Sequence, residues 1–298
     1  VNDTAVTNWA VDRAAIDRAL ATLSAELTTG IEPTVGDAIR YSLLGGGKRL
    51  RGLLFLAAYR TAGGQRDASA VAAAIEVVHA YSLVHDDLPC MDDDDMRRGR
   101  PTVHRVFGVR IAIAAGVAMV PLAASAGFAA ARRLGLTDDV ASTVVKTLMR
   151  ASGAGGMIGG QLLDLDGEDR PLSLVELERT HRAKTGALIS ASIELGALTA
   201  LAPDPQLAAL SAFGQAIGLA FQIADDVLDL TATTDRLGKT AGRDLALHKS
   251  TYPALMGVDG ARDRANALVS EGCAALRGAG LLSTELDALA RFVVERES

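Results

Sequence analysis

Along this chain apolar residues recur at intervals of three and four, a spacing that predicts helices. Ile16, Leu20, Leu23 and Leu27 mark one stripe over 12–27. Pro33 opens a second helix carrying Val35, Ile39, Leu43 and Leu44, at a position where its missing N–H is not needed. A third runs from about residue 67 through Val71, Ile75, Val78 and Leu83 into Asp86. Pro89 disfavours its regular continuation, so an irregular turn is expected to bring Asp92 back towards Asp86. Further helices are expected over 111–134, 138–152 and 207–230, and Ser173 with Glu176 has the form of a helix-starting capping box. Breaks fall at Gly45-Gly46-Gly47, at 166–171, at Pro203 and Pro205, and over the polar stretch 231–249, while the glycine groups of 153–160 permit either close helix packing or a break. No run alternates with the period of two that a half-buried strand needs, and no repeat or composition shift divides the chain. The pattern reads as one all-α domain over residues 1–298.

Composition narrows the classes. The 298 residues are 49% apolar but only 4% aromatic, rich in alanine and leucine, which favours helices and a sizeable core. A formal charge of −6 argues against a nucleic-acid binder, whose footprint would be basic. With Cys90 and Cys273 as its two cysteines, the sequence offers neither a disulfide framework nor a multi-cysteine zinc site. Residues 1–27 are charged and amphipathic rather than basic then apolar, and the expected location is the cytoplasm. The 21 residues from Ile111 to Ala131 lack any charge and are long enough to span a bilayer. Their alanine, glycine and Pro121 make them only mildly apolar, so a buried bundle helix is expected and no transmembrane segment.

Charge adds the chemistry. Six carboxylates fall within ten residues of His85-Asp86-Asp87-Leu88-Pro89-Cys90-Met91-Asp92-Asp93-Asp94-Asp95, and Arg97, Arg98 and Arg100 follow. So many like charges repel and need solvent, arginine or divalent cations beside them. A solvated acidic loop would explain one such run. A second group, Asp225-Asp226-Val227-Leu228-Asp229, lies within an apolar helix pattern, where Asp225 and Asp229 share a face. Magnesium suits these oxygen donors, since it takes one or two carboxylates and completes its shell with water and phosphate. Lys48, Arg51, Arg97, Arg98, Lys184, Lys239 and Lys249 stand in or beside the helix breaks, where they can grip the remaining phosphate oxygens. Gly45-Gly46-Gly47-Lys48 is not a Walker loop, because Ser42 and Arg49 occupy positions that motif reserves for other residues. An alanine- and leucine-walled pocket below this charge suits a hydrocarbon tail, so the substrate class is an apolar chain carrying a diphosphate. Neutralising a leaving diphosphate would allow ionisation to a carbocation that a dry pocket protects.

These segments resemble the trans-isoprenyl diphosphate synthases, the polyprenyl synthetase family that includes farnesyl and geranylgeranyl diphosphate synthases. The resemblance is carried by Gly46-Gly47-Lys48-Arg49-Leu50-Arg51, His85 to Asp92 with Arg97-Arg98-Gly99, Lys184-Thr185-Gly186, Phe221 to Asp229, Gly238-Lys239 to Asp244, and Lys249 to Pro253, in the family's order. It implies a single-domain all-α isoprenoid-synthase bundle around a central active-site cavity, usually a homodimer. It implies that Asp86, Asp87 and Asp92, with Asp225, Asp226 and Asp229, hold several magnesium ions on the allylic diphosphate. Arg97, Lys184, Gln222, Lys239 and Lys249 would hold that substrate, with Lys184 and Thr185 near the developing carbocation. Lys48, Arg51, His79 and Arg98 would hold isopentenyl diphosphate. In that family the departing diphosphate itself removes the final proton, which suits a chain without an obvious side-chain base.

The resemblance also assigns product length to the residues four and five before Asp86, here Ser82 and Tyr81. They lie about one helical turn, roughly 6 to 7.5 Å, beneath Asp86, where a tyrosine would floor the cavity early. Farnesyl diphosphate, made from dimethylallyl or geranyl diphosphate, is therefore the expected product. Cys90 also occurs in geranylgeranyl-forming relatives, so geranylgeranyl diphosphate is the alternative. The chain departs from the family in having Gly52 where proline is usual, and Gly116-Val117-Ala118 where Gly-Asp-Ala is common. Those departures leave room for a non-catalytic partner subunit, against which the intact Asp and Lys sets argue. A terpene cyclase would share the ionisation step, but the second Asp group with Lys48 and Arg51 favours chain elongation.

Overall fold

The computed structural model describes residues 3–168, 170–231 and 249–296, and they are helical almost throughout. They form two compact units. The first comprises Thr7–Leu56 and Gln65–Val145, the second the described residues up to Val6, Ala57–Gly64 and the described residues from Lys146 onward.

Most of α1 (Asp3–Leu27) lies in the first unit; it begins earlier than its apolar stripe implied and ends where expected. Helix α2 (Pro33–Leu43) has its proline in the first turn and Glu32 accepting a hydrogen bond from the Val35 N–H. Helix α3 (Leu50–Thr61) starts here, and α4 (Ser69–Asp86) is buried along most of its length. Helices α5 (Val103–Phe107) and α6 (Val109–Arg133) follow, with Pro121 accommodated inside α6. Small residues on α6, among them Ala112, Ala115, Gly116 and Ala123, are buried, and α6 packs on α4. The sequence pattern gave no strand, yet Met96–Arg97 (β1) pairs antiparallel with Arg100–Pro101 (β2). Arg98 and Gly99 both adopt positive φ between them, the backbone of a two-residue hairpin turn. Two residues a side are too short to show alternation, which is why periodicity missed them.

The second unit begins within α7 (Asp138–Ser152). Helix α8 (Met157–Asp166) runs through the second glycine group, which therefore serves close packing rather than a break. Helix α9 (Leu174–His181) starts with the full Ser173/Glu176 capping box. It runs into a π-helical turn over Arg182–Gly186 and then α10 (Ala187–Thr199). Helix α11 (Asp204–Thr231) packs against α10, α12 (Tyr252–Gly278) and α13 (Thr284–Glu295). Among the described residues two helices, α6 and α11, are long and apolar enough to cross a membrane, and their most apolar windows are 39% and 50% buried.

The unusual Gly52 has a structural reason. Its N–H donates to Oε1 of Glu76 at 2.9 Å, and Glu76 is buried in the middle of α4. A proline at 52 has no hydrogen to offer that carboxylate. A Cβ added here would also approach Ile16 Cδ1 to 2.8 Å, a flexible neighbour that can shift. Gly52→Ala keeps the N–H, so Gly52→Pro should cost about 1–3 kcal/mol more than Gly52→Ala, read by denaturant unfolding. Equal stability of the two variants would remove the Glu76 bond as the reason for the glycine.

Candidate active site

At the end of α4 the chain turns sharply at Pro89. The Asp92 N–H donates to the Asp86 carbonyl at 2.8 Å, the Met91 N–H to Leu88 at 2.9 Å and the Asp94 N–H to Asp87 at 3.2 Å. The turn expected at Pro89 thus brings Asp92 back beside Asp86. Asp87 points inward, where Arg97 Nε and Nη2 donate to its Oδ1 at 2.9 and 2.5 Å. The same guanidinium reaches Asp94 Oδ2 at 3.0 Å. Burial pushes the Asp87 carboxyl up from the usual carboxylate range, with Arg97 pulling the other way. Asp87 is therefore held by Arg97.

The glycine-rich loop before α3 packs against the β1–β2 turn. Arg98 Nη1 donates to the Gly46 carbonyl, and Nη2 lies 3.4 Å from His79 Nε2. Gly47, at φ +141, gives Arg98 room, because a Cβ there would approach its guanidinium to 2.7 Å. Arg49 turns away from the loop to Asp17 and the Leu43 carbonyl, leaving Lys48 and Arg51 as the loop's candidate phosphate-binding cations. Burial and the nearby arginines hold His79 well below the usual histidine range, so it is neutral and its Nε2 accepts from Arg98. Tyr41, Glu76, His79, Asp87, Arg97 and Arg98 line one pocket of this unit.

One turn below Asp86, Tyr81 and Ser82 are both buried. Tyr81 meets the His85 ring edge-on with centroids 6.0 Å apart, and Ser82 Oγ donates to the His79 carbonyl at 2.9 Å. His85 Nε2 lies 3.3 Å from the Ile113 carbonyl, against Gly116, where any side chain would run into the imidazole. The neighbouring Val117 faces outward and is 59% exposed. The departure at Val117 thus lies on an outer face of α6.

The second unit draws its polar residues together from distant stretches. Asp226 is buried on α11 with both oxygens engaged: Oδ2 lies 2.9 Å from His181 Nε2 and accepts the Tyr252 N–H at 3.1 Å, while Oδ1 accepts from Gln222 Nε2 at 3.0 Å. Thr185 Oγ1 donates to Gln222 Oε1 at 2.6 Å, extending the chain of bonds to the π turn. Asp229 is buried one turn on, and Asp225 is half-exposed with Oδ1 held by Arg296 Nη2 at 2.6 Å. Lys184 and Lys249 both donate to Oδ2 of Asp164, at 2.7 and 2.8 Å, and Lys249 also approaches Glu168 at 3.3 Å. Lys239 lies outside the described residues.

The structure therefore brings Asp86 beside Asp92, Arg97 to Asp87, Arg98 to His79, Thr185 to Gln222 and Asp226, and Lys184 to Lys249. Sequence reasoning assigned no role to Asp164, His181 or Arg296. Asp164 had a readable signal: with Met157 and Gln161 it sits on the inward stripe of α8, where an acid needs a partner. Arg296 had none, since 67 residues separate it from α11's acidic motif. Its guanidinium lies 3.8 Å over the Phe221 ring and also bonds the Phe221 carbonyl.

Comparison with known proteins covers nearly the whole chain. The sequence model of the polyprenyl synthetase family matches residues 32–274. A farnesyl diphosphate synthase of Escherichia coli is 44% identical over 285 residues, 94% of this chain and 95% of that one. A chloroplastic geranylgeranyl pyrophosphate synthase of Capsicum annuum is 39% identical, covering 89% of this chain and 72% of its own length. The crystal structure of a geranyltransferase from Helicobacter pylori, complexed with magnesium and isoprenyl diphosphate, superposes with a TM-score of 0.80 at 30% identity, over 99% of this chain and 97% of that one.

Asp164 gives this site a pH signature. Burial alone would raise its carboxyl, but the Lys184 and Lys249 ammonium groups outweigh that and hold it at about 2, against an ordinary 3.8. A depressed carboxyl stabilises the fold fully above its unfolded value and loses that contribution as pH falls towards its folded one. From pH 5 to pH 2 the wild-type chain should lose on the order of 2 kcal/mol more stability than Asp164→Asn, read by denaturant unfolding at each pH. Parallel profiles would show that the two lysines do not hold the carboxylate.

Proposed function

The chain belongs to the polyprenyl synthetase family, and from that premise we propose that it condenses isopentenyl diphosphate head-to-tail with dimethylallyl or geranyl diphosphate, giving farnesyl diphosphate as its main product. Its fold is the all-α isoprenoid-synthase fold of that family. The observation that carries the reading is that Lys184 and Lys249 meet at the Asp164 carboxylate while Thr185 bonds Gln222, which in turn donates to Asp226.

The residues divide the work. Lys184 and Lys249 hold the allylic diphosphate, and Arg97 and Lys239 are assigned to that substrate from the family pattern. Lys48, Arg51 and Arg98 take isopentenyl diphosphate, with neutral His79 fixing the Arg98 guanidinium. The hydroxyl of Thr185, oriented by Gln222, faces the developing cation. The C–O bond of the allylic substrate breaks, its diphosphate departs, and the double bond of isopentenyl diphosphate attacks the cation. The departed diphosphate takes the proton lost as the new double bond forms.

Magnesium fits the donor set, which is aspartate oxygen throughout. Among the described residues no three such side chains converge on one point. Each ion would then take one or two carboxylates from Asp86, Asp87, Asp92, Asp225, Asp226 and Asp229, and complete its shell with diphosphate and water. When bound, it neutralises the diphosphate and eases its departure. Asp226 also fixes Gln222 and His181 through the donors it accepts. A second copy of the chain as partner and a cytoplasmic location belong to the same reading, and sedimentation of the purified chain tests the first.

Purified protein should be incubated with magnesium, labelled isopentenyl diphosphate and each allylic starter, and the product length measured. A C15 product that does not extend further is expected. Tyr81→Ala, which opens the position one turn below Asp86, should lengthen it. A dominant C20 product would place the floor deeper than Tyr81 and make the geranylgeranyl reading the correct one. Condensation with no starter would overturn the proposal in favour of a non-catalytic partner subunit.

A further inference from the structure

We propose that Asp164 is a positioning residue that gathers Lys184 and Lys249 into one paired cation site for the allylic diphosphate. This rests on the prenyl-transfer reading and adds to it a residue that holds the cations rather than the substrate.

Three segments meet at one oxygen atom. Lys184 comes from the π turn, Lys249 stands just ahead of α12, and both ammonium groups donate to Oδ2 of Asp164 near the end of α8. The two nitrogens can be no farther apart than those two bonds laid end to end. Two ammonium groups that close repel strongly, and a carboxylate between them turns the repulsion into attraction. Glu168, in the loop after α8, adds a second negative charge beside Lys249.

The placement of Asp164 is set by backbone rather than by a flexible side chain. Gly160, four residues earlier on α8, lies against the Lys184 backbone so closely that any Cβ would collide with it. That contact locks α8 to the π turn, and Asp164, on the same face four residues on, is presented to Lys184 at a fixed distance. An incoming diphosphate then meets two cations already assembled, instead of collecting two long, mobile side chains.

Asp164→Asn keeps the shape and removes the charge. Affinity for inorganic pyrophosphate should be measured by calorimetry without metal, together with kcat and the separate KM values for the allylic substrate and isopentenyl diphosphate. The variant should bind pyrophosphate about tenfold more weakly and show an allylic KM raised by about the same factor. The KM for isopentenyl diphosphate and kcat should move less than about threefold, and Asp164→Glu should recover part of the loss. Tighter pyrophosphate binding would overturn the proposal, because Asp164 would then compete with the ligand. A uniform loss in both KM values and kcat, without rescue by glutamate, would reduce Asp164 to a structural tie. The two readings fail separately. Wild-type protein that condenses no starter, with pyrophosphate binding still weakened in Asp164→Asn, overturns prenyl transfer and leaves the paired site. An active wild type matched by Asp164→Asn in every parameter does the reverse.

Discussion

A carboxylate taken out of water must be met by donors, and nowhere does that requirement shape this chain more than at Asp226. Its two oxygens accept from His181 at the end of α9, Gln222 on α11 and the first N–H of α12. These bonds fix where α9 ends and where α12 begins. The His181 and Tyr252 rings stack beside them with centroids 5.7 Å apart, so the polar knot is walled by aromatic surface. The π turn that follows His181 presents Lys184 and Thr185 within reach of Asp164 and Gln222 respectively. Removing the Asp226 carboxylate would leave three orphaned donors, which is why its role is fold and site together.

The first unit answers the same requirement differently. There the acids lie close in sequence, and arginines rather than neutral donors compensate them. Arg97 bridges Asp87 and Asp94, and Arg49 bonds Asp17. The short hairpin exists to aim two consecutive arginines in different directions: Arg97 towards the acidic turn and Arg98 towards Gly46 and His79.

Much of this was legible in the sequence because local rules decide it. Helix spacing, Pro33, the Ser173 capping box and the turn at Pro89 each depend on a few adjacent residues. The acidic motifs and basic breaks announced a diphosphate chemistry for the same reason. The partners of Asp164, Arg296 and Glu76 did not show, because each contact joins residues brought together only by helix packing. Glu76 and Asp164 were marked faintly, as acids on inward helix faces. The π turn left no trace, since its one extra residue per turn does not disturb the apolar pattern on either side.

The seat of Tyr81 has a consequence for engineering. Its ring abuts His85, and His85 fills the space that Gly116 leaves open on α6. The residue that would set chain length is thus one member of a three-part wedge between two helices. Shrinking it loosens His85 and changes what α6 tolerates at position 116. Variants selected for longer products should therefore accumulate compensating substitutions on α6, and the best residue at 81 would depend on the background in which it is tried.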